Sequence, residues 1–239
     1  MKGTTLKYQL RRFQAGLVWY YAIILSIILG FAIMFKIFGG DGSINNMEFN
    51  SAIYLFVVGI VSHKENLRFF LANGLTRKQL FVSLLASSAI VALGMAVVDT
   101  AIGLLLNAVV NYDGFINASF NLIYPNGSLV SGVLFLATMN FLIHAIGYLI
   151  ANLYYVCNTL GKILLSISIP AFLLIGIPVI DGYLFSFQIL NKIGEFLMFA
   201  LGLPPIGNPF YAITFFTISA LAVAAVSYLF VRRAVIKEA

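Results

Sequence analysis

The chain has 239 residues, 62% of them hydrophobic and 9% charged, and its mean hydropathy is +1.01. A soluble domain carries about 25% charged residues, so this composition excludes a soluble core and points to an integral membrane protein with lipid as its outer solvent. The net charge of +6 is not a nucleic-acid signal, because the basic residues stand at the ends of apolar runs. One cysteine, Cys157, excludes an internal disulfide framework and a Cys-rich metal site.

Residues 1–17 place Leu6, Leu10, Phe13 and Leu17 at helical spacing, with Lys7, Arg11 and Gln14 on another face. That pattern predicts a short basic amphipathic helix at an anionic membrane surface, or a positive flank for the first span. The first apolar run begins late and has no small-residue cleavage site, so it reads as span one, Val18 to Phe38, and not as a signal peptide. Trp19, Tyr20 and Tyr21 form an aromatic belt at its inner end. A polar, Gly-rich loop follows. Span two, about Ser51 to Ser62, is short for a crossing and must borrow residues from its flanks.

Span three runs from about Gln79 to Val110, and the loop that follows it is polar. Asn117 and Asn126 there each begin a glycosylation triplet. Span four covers Leu129 to Val156. A tight turn leads to span five, Ile163 to Ile180, which holds Pro170 and Pro178. Between spans five and six, Gln188, Asn191, Lys192 and Glu195 share one helix face while the rest is Ile, Leu, Phe and Met. Segment 182–208 therefore reads as an amphipathic or re-entrant outer helix, stopped by Pro204 and Pro205. Span six is Tyr211 to Val231, ending in a basic tail.

The fold class read from this pattern is all-α and membrane-integral, a single domain over 1–239. It has six transmembrane helices, an N-terminal amphipathic helix and both termini on one side. Lys2, Lys7, Arg11, Arg12, Lys64, Arg68, Arg77, Lys78, Lys162, Arg232, Arg233 and Lys237 fall on that side, and Asp41, Glu48, Asp113, Asp181 and Glu195 on the other. The positive-inside rule makes the basic side cytoplasmic.

Charge and local grammar converge between spans two and three, over residues 63–78. Leu67, Phe70 and Leu71 lie on one face of a short helix with Arg68 opposite, and Glu65 and Arg68 form an i, i+3 pair. Gly74 suits a left-handed helix stop. Thr76 and Gln79 then match a capping box that starts the next helix. A plain inner loop obeying the positive-inside rule needs no such elbow, so a docking device is the better reading.

An amphipathic helix ending in a pattern like "NGLTRKQLF" resembles the inner-surface coupling region of small bacterial ABC transporter permeases of the type-2 exporter class. Chain length, six spans, the N-terminal helix and the broken outer segment agree with that family. The resemblance implies a bacterial cytoplasmic-membrane permease subunit that exports a hydrophobic or amphipathic cargo: a peptide, lipid or drug. It implies pairing with a second permease, identical or paralogous. It also implies a separate cytoplasmic ATPase that binds ATP and Mg and docks on Glu65, Arg68, Phe69, Gly74, Thr76, Arg77 and Lys78. The chain carries no phosphate-loop motif and no clustered catalytic groups. It is expected to be no enzyme, to hold no cofactor or metal and to bind no nucleic acid.

Three polar residues within spans are further candidates. Asp99 is expected near the outer interface as a solvated or hydrogen-bonded acid. Asn140 and His144, one turn apart near mid-span, are expected to serve packing before proton relay. The competing classes are a secondary transporter or channel, for which the span-five prolines argue, and a non-transporting immunity or sensor protein.

Overall fold

The computed structural model describes residues 2–38, 44–46, 48–109 and 112–233; the side chains of residues 2–4, 32, 35–36, 44–45, 63–68, 71, 109 and 233 lie outside that description, and with them those of Glu65, Arg68 and Leu71. The described chain is almost entirely helical. Helix α1 is Lys2–Phe38, α2 is Phe49–Ala72 and α3 is Arg77–Val109. A short π-then-α element, α4, covers residues 116–123. Helix α5 is Leu129–Val156, α6 is Thr159–Phe185, α7 is Gln188–Ala200 and α8 is Pro209–Arg233. Two residue pairs, Ile44 with Tyr112 and Asn45 with Asp113, form a minimal parallel pairing of β1 (Ile44–Asn45) and β2 (Tyr112–Asp113).

Among the described residues five helices are long and apolar enough to cross a membrane: α1, α3, α5, α6 and α8. The architecture is that of a multi-pass α-helical membrane protein. Helix α2 has only a short apolar stretch, Phe49–Ser62, as expected from its sequence. It does not stop there, however, and runs on unbroken to Ala72. The short span and the coupling helix expected after it are one helix. The N-terminal segment 1–17 is likewise continuous with span one through α1. No Pro stands in residues 2–38, and Gly16 beside the expected junction lies within the helix, facing Tyr54, so nothing separates the two pieces.

Helix starts follow local chemistry. Ser128 caps α5 through a reciprocal box with Ser131. The Asn158 side chain accepts from Gly161 N at 2.9 Å and opens α6. Within α6, π-helical turns at Leu164–Ser168 and Phe172–Gly176 precede Pro170 and Pro178. A proline ring removes an N–H and crowds the carbonyl one turn earlier, and a widened turn relieves that crowding without ending the helix.

Helix α5 is the hub and packs against α2, α8 and α3, while α1 packs on α3. The hub forms because α5 meets its neighbours at small residues. Gly59 of α2 faces the His144 and Tyr148 backbone, and Gly147 of α5 faces the Phe56 carbonyl. Lipid supplies no hydrophobic drive between helices, so close backbone approach and dispersion must hold them. Buried clusters mark three levels of the bundle. Phe70, Leu80, Phe81, Leu84, Tyr148 and Val231 pack at the elbow end. Phe13, Leu55, Val91, Ala92 and Met95 pack in the middle. Ala96, Phe115, Phe120, Tyr124, Leu136 and Ala212 pack at the opposite end.

Helix α6 differs from the others: none of its most apolar window is buried. It joins α7 through a turn in which Ser186 and Phe187 both adopt positive φ. Segment 182–208 is therefore the end of α6, this turn, α7 and the link to α8. The Asp181 carboxylate accepts from Ile189 N at 3.1 Å and Leu190 N at 2.8 Å. It satisfies two of the orphan donors that open α7 and favours the positive end of the helix dipole.

Candidate functional site

The elbow between α2 and α3 is built by the backbone signals of its own sequence. Gly74 takes φ +77, a conformation that side chains resist. It lets Leu75 N donate back to Phe70 O at 3.1 Å, the long bond of a Schellman stop. Leu75 then packs on the cluster containing Phe70. Thr76 restarts the chain as a helix: Gln79 N donates to Thr76 Oγ1 at 3.3 Å, and Thr76 N donates to Gln79 Oε1 at 3.2 Å.

Tertiary contacts fix the elbow to two more helices. Phe69 stacks on Tyr8 of α1 with ring centroids 5.0 Å apart, and Tyr8 meets Phe70 edge-on at 5.6 Å. Arg77 donates to Arg232 O at 2.6 Å. That bond places a cation at the C-terminal end of α8, where orphan carbonyls and the helix dipole favour it. Of the residues expected in the elbow, Phe69, Gly74, Thr76 and Arg77 are thus brought together. Lys78 is exposed beside them.

A second polar group lies at the other end of the bundle, around Asp99. Asp99 is 6% exposed and sits ten residues before the end of α3. It is hydrogen-bonded but not solvated: Tyr21 donates to its Oδ1 at 2.8 Å, while its Oδ2 has no hydrogen-bond partner among the described residues. Ser51 neighbours the same carboxyl, and Tyr20 Oη lies 3.0 Å from Ser51 Oγ. Tyr20 and Tyr21, expected in an aromatic belt at the inner end of span one, stand instead beside Ser51 and Asp99, away from the elbow, and turn in part toward the protein, because α1 begins well before span one.

One turn before Ser51 stands Glu48, also 6% exposed. It accepts from Tyr112 Oη at 2.9 Å and from Phe115 N at 3.0 Å. Gly103 and Gly114 approach so closely around it that a Cβ on either would lie 2.8 Å from Glu48 Oε1. Glu48 so pins the 112–128 segment against α2 and α3. Asn46 and Ser119 add a reciprocal pair at 2.9 and 3.2 Å. Asn107 donates to Tyr112 O and Asp113 Oδ1. Tyr124 donates to Leu201 O, and burial raises its phenol pKa.

Sequence reading left Glu48 among scattered outer acids. A signal was present in Gly103 and Gly114, because paired glycines mark close backbone approach. Their meeting across ten residues of helix and turn is not visible in one dimension.

Asn140 and His144 occupy one face of α5, 0% and 2% exposed. Neither Asn140 amide atom nor His144 Nε2 has a hydrogen-bond partner among the described residues. They do not bond each other and do not join Asp99. Among the described residues no group of three His, Cys, Asp or Glu side chains is placed to hold a metal. No protein-family model, curated protein or solved structure matches the chain.

Proposed function

We propose that the chain is the transmembrane permease subunit of an ATP-driven ABC exporter, with six crossings and both ends in the cytoplasm. A separate ATPase docks under the elbow, and a second permease, identical or paralogous, completes the path. The supporting observation is the elbow itself. It is capped on both sides, stacked on α1 through Tyr8 and Phe69, and bonded to the end of α8 through Arg77. A load applied there enters four helices, α1, α2, α3 and α8. Arg77, Lys78 and Arg232 stand at the same end, and the positive-inside rule assigns that end to the cytoplasm. A hydrophobic or amphipathic cargo suits the aromatic-rich spans.

Copurification with ATPase subunits encoded near its gene tests the proposal. The wild-type chain should retain an ATPase, and Glu65→Ala with Arg68→Ala should release it. A wild-type chain that binds no ATPase overturns the reading.

Asp99 favours a second reading, a proton- or cation-coupled transporter. A buried carboxyl with a tyrosine donor and no cation among the groups acting on it is the kind of intramembrane acid that carries ions. Vesicle transport separates the two readings. An exporter works on ATP with the ion gradient collapsed and survives Asp99→Asn. A coupled carrier requires the gradient and loses transport in that variant.

A further inference from the structure

We propose that His144 of α5, Ser227 of α8 and Ser88 of α3 form an internal water-binding site at the junction of those three helices. The three side chains line one small cavity together with Phe81, Leu84 and Tyr148, and its volume is about 10 Å³. All three are at most 2% exposed. His144 Nε2 and Ser227 Oγ find no hydrogen-bond partner in the described protein. Two unpartnered polar atoms on residues that line one cavity are a costly arrangement, because a buried donor or acceptor left alone loses its full hydration. In lipid no bulk water reaches them.

One water removes the cost, and its hydrogen bonds balance. Ser88 Oγ–H is already committed to Leu85 O at 3.0 Å, which leaves its oxygen free to accept. Ser227 Oγ–H donates to the water. The water donates one proton to Ser88 Oγ and the other to His144 Nε2 in the neutral ring with its proton on Nδ1. The opposite tautomer donates from Nε2 instead, and the water then gives its second proton to Ser227 Oγ. Either way the site makes three bonds, the usual number for a buried water.

Size sets the ligand class. A single water needs roughly 10–15 Å³ of such space, so the cavity admits one water and no organic ligand. One imidazole without a carboxylate or thiolate does not make a metal site. The water takes the place of a direct side-chain bond and links α5, α8 and α3 in the elbow half of the bundle, where all other lining groups are apolar or aromatic.

The chain has two histidines, so ¹⁵N-histidine labelling in a His63→Gln background leaves His144 as the one side-chain signal. Water-edited solid-state NMR in lipid vesicles should show polarisation transfer from water protons to His144 Nε2. Ser227→Val, which replaces the hydroxyl by methyls inside the cavity, should abolish the transfer, and Ser227→Thr, which keeps it, should not. No transfer in the wild-type background, or full transfer persisting in a folded Ser227→Val protein, overturns the proposal. If Ser227→Val does not fold, the wild-type and Ser227→Thr signals still decide it.

Discussion

The seam between α2 and α5 gives the sharpest stability prediction. A Cβ on Gly59 would lie 2.5 Å from His144 O and 3.0 Å from Tyr148 N. Carbon rests against a carbonyl oxygen at about 3.3 Å, so the helices must part by about 0.8 Å to admit one methyl. Both obstructing atoms are backbone and cannot rotate aside. A gap of 0.5–1 Å forfeits about a quarter to a half of each dispersion contact along the seam, and no hydrophobic term restores it in lipid. Overpacking of this kind costs about 1–3 kcal/mol, and the gain in helix propensity from Gly to Ala offsets up to about 1 kcal/mol. Gly59→Ala and Gly147→Ala should therefore each lose up to about 2 kcal/mol. Gly94→Ala is the control, since nothing stands within 4 Å of its new Cβ; it should be neutral or gain up to about 1 kcal/mol. Reversible unfolding in mixed micelles with a denaturing detergent, followed by circular dichroism, measures all three. Equal stability of Gly59→Ala and Gly94→Ala would refute the close-approach argument.

Thr76→Ala removes the side-chain half of the α3 capping box and should cost about 1 kcal/mol, with faster amide exchange confined to the first turn of α3; unchanged exchange there counts against the cap. Glu48→Ala removes the acceptor of Tyr112 Oη and Phe115 N and should cost about 2 kcal/mol, seen as faster proteolysis within residues 112–128, with Glu48→Gln milder. If both variants resist protease like the wild type, Glu48 does not hold that segment. Asp181→Ala should cost about 1 kcal/mol and raise exchange at Ile189 and Leu190 while leaving α5 untouched. Uniform change across the protein would instead mean that Asp181 supports more than the α6–α7 turn.

Local signals were legible from sequence wherever neighbours within five residues decide the structure. The Gly74 stop and the Thr76–Gln79 box appear as read, and α5 begins and ends at the expected Leu129 and Val156. Element ends set by continuity were harder. The loss of apolar character after Ser62 suggested a break, yet nothing in "HKENLRFFLA" breaks a helix, and α2 simply continues. Charge changes what surrounds a helix more readily than it changes the backbone. Tertiary polar pairs were beyond reach. Asp99 could be placed along α3 by counting residues, but its partner Tyr21 lies 78 positions away and looked like an interfacial aromatic. Glu48 needed Tyr112, Gly103 and Gly114 to acquire meaning, and each of those has a bland reading alone.

The contrast between α5 and α6 bears on how an exporter of this build would move. Helices α1, α2, α3 and α8 reach one another through the elbow and through α5, so a force at Thr76 meets a stiff unit with glycine-tight seams. Helix α6 shares little of that unit. Its apolar window is unburied, its two prolines are absorbed by widened turns, and its far end is locked to α7 by Asp181. Widened turns are weak points in bending, whereas the Asp181 turn is tied by two hydrogen bonds. Force passed from the elbow would therefore displace the α5-centred unit as a block and leave deformation to α6, near Pro170 and Pro178. In the proposed exporter the compliant element is then the unburied helix α6, away from the buried carboxylates. Stiffening α6 with Pro170→Ala and Pro178→Ala should therefore lower transport without loosening the elbow.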